Sequence, residues 1–317
     1  DNDGLCSFIL CRNFSGKGAG IPIKTNPDLS AALLNRVNEH RPDYIFVLDK
    51  PIISQDFLDG VSVPVVWLDH HPLVQRERVI YFNPKLKNKN ESSSTTYWAY
   101  KATGGKLWIA TIGAVSDWTM PDFFDEFKKK YPDLTNNKKD PPSLLYDSKF
   151  GELCRIFSFL TKGKTSDVNK NIAAALAVKE PYDVLEQKTK EGKILFTHSA
   201  EITKKYHEIL ERALKVKVDG KLIVFTYSNA ELSLTADLSN ELLYRNPGKL
   251  ILVARKKDDE MRMSFRSDSF PIEGILQKAL ENVEGYGGGH SHAVGANVKV
   301  KDFDKFIETI KKEISHK

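Results

Sequence analysis

The sequence predicts an α/β protein of two domains, on three observations. Short apolar runs with the make-up of buried strands alternate with helix-like segments through residues 1–120. Carboxylates stand directly after those runs, where the C-terminal ends of parallel strands gather ligands. From residue 219 onward the pattern changes, and strands surround a glycine-rich stretch. A chain of 317 residues is long enough to bury two cores.

Residues 5–11 are apolar and follow Asp3 and Gly4, which predicts a loop entering a helix. Asp1 and Asp3, spaced by two, are expected on one side of an extended segment, where each can hold a cation. Pro27, Asp28 and Ser30 signal a helix over 31–37, with Asp28 or Ser30 near its N-cap. Residues 44–48, 64–68 and 79–82 are apolar runs with β-branched and aromatic residues, the pattern of strands covered on both faces. Residues 51–58 hold a helical turn or two between the first pair. This repetition implies a parallel sheet with right-handed crossovers. Residues 92–102 and 107–115 read as helices around the Gly104-Gly105 break, and the Lys-, Pro- and Asn-rich residues 120–170 as a helical insertion. Helices over 172–178 and 200–216 follow, the second bridging the domains and ending at Val218, Asp219 and Gly220. The last part predicts strands at 222–227, 250–254 and 261–265, and helices at 237–244, 272–280 and 302–314. Residues 284–297 hold five glycines and two histidines, and Gly287–Gly289 read by themselves as a flexible loop.

Composition removes several classes. With 41% hydrophobic and 28% charged residues, intrinsic disorder is excluded as the main state. No apolar run approaches the roughly 18–20 residues that span a bilayer, so a membrane helix is not expected. The net charge of +5, from 47 Lys+Arg against 42 Asp+Glu, permits a nucleic-acid partner without demanding one. Cys6, Cys11 and Cys154 form no CxxC pair, which argues against a disulfide framework and a structural zinc. With no signal peptide ahead of the first domain, they point to a reducing, cytoplasmic setting. Glycosylation at Asn13 or Asn90 is not expected there.

The chemistry concentrates at strand ends. Asp49 follows the strand at 44–48, Asp69, His70 and His71 follow the next, and Asp117 ends the run 109–115. Taken singly, Asp49 reads as a helix N-cap, Asp1 and Asp3 as a turn, and the paired histidines as surface residues. Their recurrence at strand ends of one domain favours a site. Carboxylates and an imidazole brought together repel one another unless cations neutralise them. Their oxygen and nitrogen donors suit Mn²⁺, with Mg²⁺ or Co²⁺ as substitutes. Two such ions roughly 3.5–4 Å apart bind a phosphate and activate a water.

These residues resemble a known family. Asp1-x-Asp3-Gly4, Asp49, Asp69-His70-His71 and Ser116-Asp117 are similar to the four ordered motifs of DHH phosphoesterases. Residues 287–296 (Gly-Gly-Gly-His-x-x-Ala-x-Gly-Ala) resemble the signature of the accompanying DHHA1 domain, and residues 264–267 (Ser-Phe-Arg-Ser) the strand that faces it. The likeness covers nearly the whole chain and is nearest to archaeal RecJ-like and oligoribonuclease-type members. It implies an N-terminal DHH domain over 1–190 with a mainly parallel sheet, a linker helix over 191–218 and a smaller α/β DHHA1 domain over 219–317, with an active cleft between them. It implies that Asp3, His70 and Asp117 hold one metal, that Asp49 bridges two, and that Asp1 shares the other site. The family's first motif opens with a histidine upstream of the Asp-x-Asp pair, and the sequence given has no residue there. By the same likeness Asp69 orients His70, and His71 contacts the scissile phosphate or assists the leaving group. Arg266, Gly288, Gly289 and His290 form an anion clamp, with His292 as a secondary contact.

The reading that follows is Mn²⁺-dependent hydrolysis of short RNA or single-stranded nucleic acid from an end to mononucleotides. Small-phosphoester hydrolysis (of 3′-phosphoadenosine phosphate or a cyclic or linear dinucleotide), a replication-associated DNA exonuclease and a non-catalytic scaffold compete with it. Release of orthophosphate from the small substrate without oligonucleotide trimming would select the first. A homodimer and a replication or repair partner protein are compatible with the likeness. Lys85, Lys87 and Lys89, or Lys128–Lys130, are better read as solvated faces than as a backbone guide. Residues 163–165 (Gly-Lys-Thr) end like a P-loop but Ser158 stands where the motif needs Gly, and no GxSxG occurs.

Overall fold

The structure is a computed structural model that describes residues 1–23, 28–228 and 232–315. It divides into two compact units, Asp1–Ser199 and Ala200–Lys317. Pro27, one of the expected helix-start signals, lies outside the described residues.

The first unit contains α1 (Asn2–Ser15), β1 (Asp28–Leu29), α2 (Leu34–Asn38), β2 (Ile45–Leu48), β3 (Ile52–Ile53), α3 (Gln55–Gly60), β4 (Val65–Leu68), β5 (Ile80–Phe82), α4 (Thr95–Thr103), α5 (Leu107–Ser116), α6 (Phe124–Lys130), α7 (Pro132–Thr135), α8 (Pro141–Asp147), α9 (Lys149–Leu160), α10 (Thr165–Ala177) and α11 (Pro181–Leu185). The long α12 (Lys190–Leu214) runs from this unit into the second. The second unit continues with β6 (Leu222–Ser228), α13 (Thr235–Arg245), β7 (Leu250–Lys257), β8 (Glu260–Ser267), α14 (Glu273–Leu280), β9 (Gly285–His290), β10 (Ala293–Lys299) and α15 (Phe303–Ser315).

The chain enters α1 earlier than the sequence suggests. The Asp1 carboxylate accepts from the Gly4 amide at 3.2 Å, so Asp1 is the N-cap and Asp3 lies in the first turn. The Asp-x-Asp pair is therefore helical and not extended. Acidic side chains at a helix start accept orphan amides and complement the dipole, which explains the correction.

Strands β2, β4 and β5 form a parallel sheet, with Val47 opposite Trp67 and Trp67 opposite Tyr81. Alternation sends Val47, Val65 and Trp67 into a small core with Leu29, Ile53, Phe57 and Leu58. Trp67 stacks on Tyr81 at 4.0 Å and donates to the Lys50 carbonyl at 2.8 Å. The opposite face is not covered as expected: Phe46 is 60% and Ile80 62% exposed. Only the row nearer the strand ends is reached, where Leu68 packs on the helical core and Phe82 lies 5.5 Å from Trp98. A continuous apolar run records hydrophobicity on both faces but not whether a layer covers each. The pairing of β1 with β3 is a further short parallel ladder that residues 51–58 did not announce.

The main core of this unit is helical. Residues 107–115 of α5 are all buried, and α1, α4 and the helices of residues 120–185 pack around it. Gly113 lets α4 come close: a Cβ there would sit 2.2 Å from Thr96 Oγ1. In the second unit the sheet order is β6-β7-β8-β10-β9, parallel for the first pair and antiparallel for the rest. Residues of α14 and α15 fill one face with Met261, Met263 and Phe265, while α13 packs on β7 and β8. Gly287–Gly289, which taken alone read as a loop, lie in the edge strand β9. Its glycines allow close pairing, since a Cβ on Gly289 (φ 149°) would lie 2.5 Å from the Ala293 carbonyl.

A Gly→Ala change in an exposed helix stabilises by about 1 kcal/mol. The Thr96 contact inverts that sign at Gly113, so Gly113→Ala is expected to lower the thermal midpoint by several degrees. Differential scanning calorimetry of the two proteins checks it.

Candidate metal centre

The centre is assembled from four elements of the first unit. Asp3 comes from the first turn of α1, Asp49 from the residue after β2, His70 and His71 from the loop after β4, and Asp117 from the end of α5. The strand-end placement of Asp49 and Asp69 follows from the parallel sheet: the Asp49 amide donates to Leu68 and the Asp69 amide to Phe82. Asp49 turns away with φ 55°, a left-handed conformation that Asp tolerates better than most residues.

His70 is the hub. Its Nε2 lies 3.7 Å from Asp3 Oδ2 and 3.5 Å from Asp49 Oδ1, and its Nδ1 lies 3.6 Å from Asp117 Oδ2. The donor atoms of Asp3, His70 and Asp117 fall within 4.8 Å of one another, as do those of Asp49, His70 and His71. The four residues assigned by the family likeness thus converge. Asp1 belongs to neither group; its carboxylate caps α1, although a Cβ on Gly4 would be 3.4 Å from Asp49 and 3.8 Å from Asp1.

Asp69 corrects another expectation. Its Oδ1 meets His71 Nδ1 at 2.7 Å, and its Oδ2 accepts from the His71 amide at 3.0 Å. It therefore orients His71, the neighbour of the residue to which it was assigned. The fully buried carboxylate is reached by a tight turn back onto the second residue after it, a geometry that favours i+2 over i+1.

Sequence reasoning missed the Ser94-Thr95-Thr96 segment. The Thr95 amide donates to Asp3 Oδ2 at 2.8 Å and the Thr96 amide to Oδ1 at 2.6 Å, while Thr96 Oγ1 donates to the Asp3 carbonyl at 2.8 Å. Thr95 Oγ1 adds a 3.3 Å bond to Asp49. Asp3 thus sits on the N-terminus of α4, where dipole and amides favour negative charge. Asn2 was missed as well; its Nδ2 donates to Ser116 Oγ at 2.8 Å and the Cys154 carbonyl at 2.9 Å, tying α1 to α5 and α9. The signal available was a run of Ser and Thr ahead of an apolar helix, which reads only as a cap.

The electrostatics suit a cation. Burial, followed by the charge of Asp3, holds the Asp49 carboxyl well above the usual range. Asp117 is pushed up to about 8 by burial and by Asp3. Burial raises Asp3 too, against the amides that pull it down. Buried carboxylates that cannot all ionise together, with an imidazole between them, are the donor set of a hard or borderline divalent ion.

In the second unit, strand register aligns the other expected residues. Ala293 of β10 lies opposite both Arg266 of β8 and His290 of β9, so Arg266 and His290 share one cross-strand row. The Arg266 guanidinium is held by Asn240 Oδ1 at 2.6 Å and Ser264 Oγ at 3.0 Å. Gly288 faces open space and pairs opposite Gly295; Gly289 pairs opposite Val294. His292 contacts the Ser267 carbonyl through Nδ1 at 3.0 Å.

The model for the DHHA1 domain matches residues 219–316. No curated protein sequence matches the chain. Among solved structures, RecJ of Thermus thermophilus in complex with Mn²⁺ is similar over 100% of this chain, with TM-score 0.66 and 14% identity. The match takes in 51% of that protein, so the chain spans about half its length. An exonuclease RecJ bound to manganese matches 99% of this chain and 88% of its own, with TM-score 0.58 and 16% identity. A pGpG-specific phosphodiesterase from Vibrio cholerae matches 100% of this chain and 97% of its own, with TM-score 0.54 and 14% identity. Among the described residues no helix is long and apolar enough to cross a membrane. Residues 219–316 are a DHHA1 domain, and the chain as a whole shares the fold of the two RecJ structures.

Proposed function

We propose that the protein is a metal-dependent phosphodiester hydrolase acting on short RNA or single-stranded nucleic acid from an end. The observation that carries this is the convergence of Asp3, Asp49 and Asp117 on His70 within 3.5–3.7 Å. Asp3, His70 and Asp117 would hold one divalent ion, and Asp49, His70 and His71 have donor atoms placed to hold a second. When bound, such ions neutralise the phosphate and lower the pKa of a water.

The chain's own residues divide the remaining work. The Thr95 and Thr96 amides fix both oxygens of Asp3, so that ligand loses little freedom when an ion arrives. Asp69 holds the Nδ1–H form of His71, which makes Nε2 the nitrogen that exchanges a proton with the leaving oxygen. Asn240 and Ser264 fix the Arg266 fork, the pre-organisation that bidentate phosphate binding needs. His290 in the same row and the open backbone at Gly288 extend that anion site. A linear dinucleotide substrate is the second reading, because a pGpG-specific phosphodiesterase matches this chain over 97% of its own length.

Incubation with Mn²⁺ and end-labelled oligonucleotides of two to about 20 nucleotides separates the readings. Stepwise trimming of all lengths supports the nuclease, and cleavage confined to dinucleotides supports the second. Absence of any metal-stimulated cleavage removes both. Asp49→Asn is expected to abolish Mn²⁺-stimulated cleavage and, by removing a buried repelling charge, to raise the thermal midpoint of the EDTA-treated protein. Cleavage within twofold of wild type would remove Asp49 from the ligand set. Arg266→Ala is expected to raise KM at least tenfold with a smaller change in kcat, consistent with about 1.5–3 kcal/mol for a charge-assisted bond. An effect on kcat alone would reassign it.

A further inference from the structure

Three of the four tryptophans are built into packing. Trp67 stacks on Tyr81, Trp108 meets Phe157 at 5.5 Å and donates to Lys179, and Trp98 lies between Tyr97 and Phe82. Trp118 is different: it is 43% exposed, and no ring contact or side-chain hydrogen bond holds its indole among the described residues.

Its backbone is also unfavourable. Trp118 adopts φ 60° at the end of α5. Its amide donates to Val115 at 3.0 Å and the Thr119 amide to Ala114 at 3.0 Å, which closes the helix with Trp118 in the left-handed position that glycine prefers. A bulky aromatic residue there is strained, and such strain persists where function selects the side chain. The turn is anchored, since Thr119 Oγ1 donates to the Ser92 carbonyl at 3.3 Å. The preceding residue is Asp117, 3.6 Å from His70. One strained turn therefore delivers a metal-centre carboxylate and, next to it, an exposed indole.

We propose that Trp118 is a stacking surface for an unpaired nucleobase of the substrate whose phosphate occupies the metal centre. This rests on the hydrolase reading and adds the class of group recognised beside the phosphate. A flat indole stacks on any base without selecting sequence, and a paired base would present no free face to it.

The test compares a trinucleotide RNA with the same molecule carrying abasic nucleotides, with Mn²⁺. Stacking on one base predicts that Trp118→Gly lowers the ratio of kcat/KM, intact over abasic, by about 10-fold. Trp118→Phe keeps most of the ratio. The thermal midpoint of Trp118→Gly is expected to match or exceed that of wild type, because glycine suits the turn. Independently of turnover, the trinucleotide in EDTA quenches indole fluorescence in wild type, and Trp118→Phe loses that quench. An unchanged ratio, with or without a fall in thermal midpoint, overturns the proposal and assigns the indole to packing. So does a quench that survives Trp118→Phe. If wild type cleaves neither substrate yet the quench depends on Trp118, the hydrolase reading fails and the stacking surface stands.

Discussion

The candidate metal centre depends on how one buried carboxylate is stabilised. Asp3 is 3% exposed, and an isolated ionised carboxylate at that depth would cost several kcal/mol. Two backbone amides at the start of α4 and the helix dipole behind them offset much of this. The bonds fix α1 against α4, and α4 against α5 through the gap left by Gly113. Asn2 extends the same bracket to the end of α5 and to α9. The helices that carry Asp3 and Asp117 are thus locked by polar bonds one or two residues from the ligands themselves. Burial and the charge of Asp3 raise the carboxyls of Asp49 and Asp117 as well.

How much of this was legible in the sequence follows from range. The strands at 45–48, 65–68 and 80–82 and the acids beyond them were readable, because short apolar runs and the acids that follow them are local signals. The approach of Asp3, Asp49 and Asp117 to His70 was legible only through motif order. The Asp3–Thr96 bond spans 93 residues, and nothing in Ser94-Thr95-Thr96 distinguishes amides that meet a distant carboxylate from an ordinary helix start. The bond from Asp69 to His71 failed for the opposite reason. Adjacent histidines differ only in which way the turn aims them, and that is set by backbone geometry.

Glycine carried two meanings that composition could not separate. Gly287 and Gly289 stand in a paired edge strand because β10 leaves no room for a Cβ. Gly113 does the same for a helix crossing, where a glycine would otherwise count as a defect. The turn after α5 shows the reverse case, a site that favours glycine and holds tryptophan. Together these positions distinguish where the fold demanded a residue from where it tolerated one.

The net charge of +5 conceals a partition between the units. The first gathers buried acids around His70 and His71, an arrangement that a cation can settle. The second sets Arg266 and His290 in one row of a sheet beside bare backbone, an arrangement that an anion can settle. Each is incomplete by the same physical criterion, polar or charged groups ordered in advance of their partner. Pre-ordering lowers the entropy lost on binding, and it does so by fixing the groups while the partner is absent.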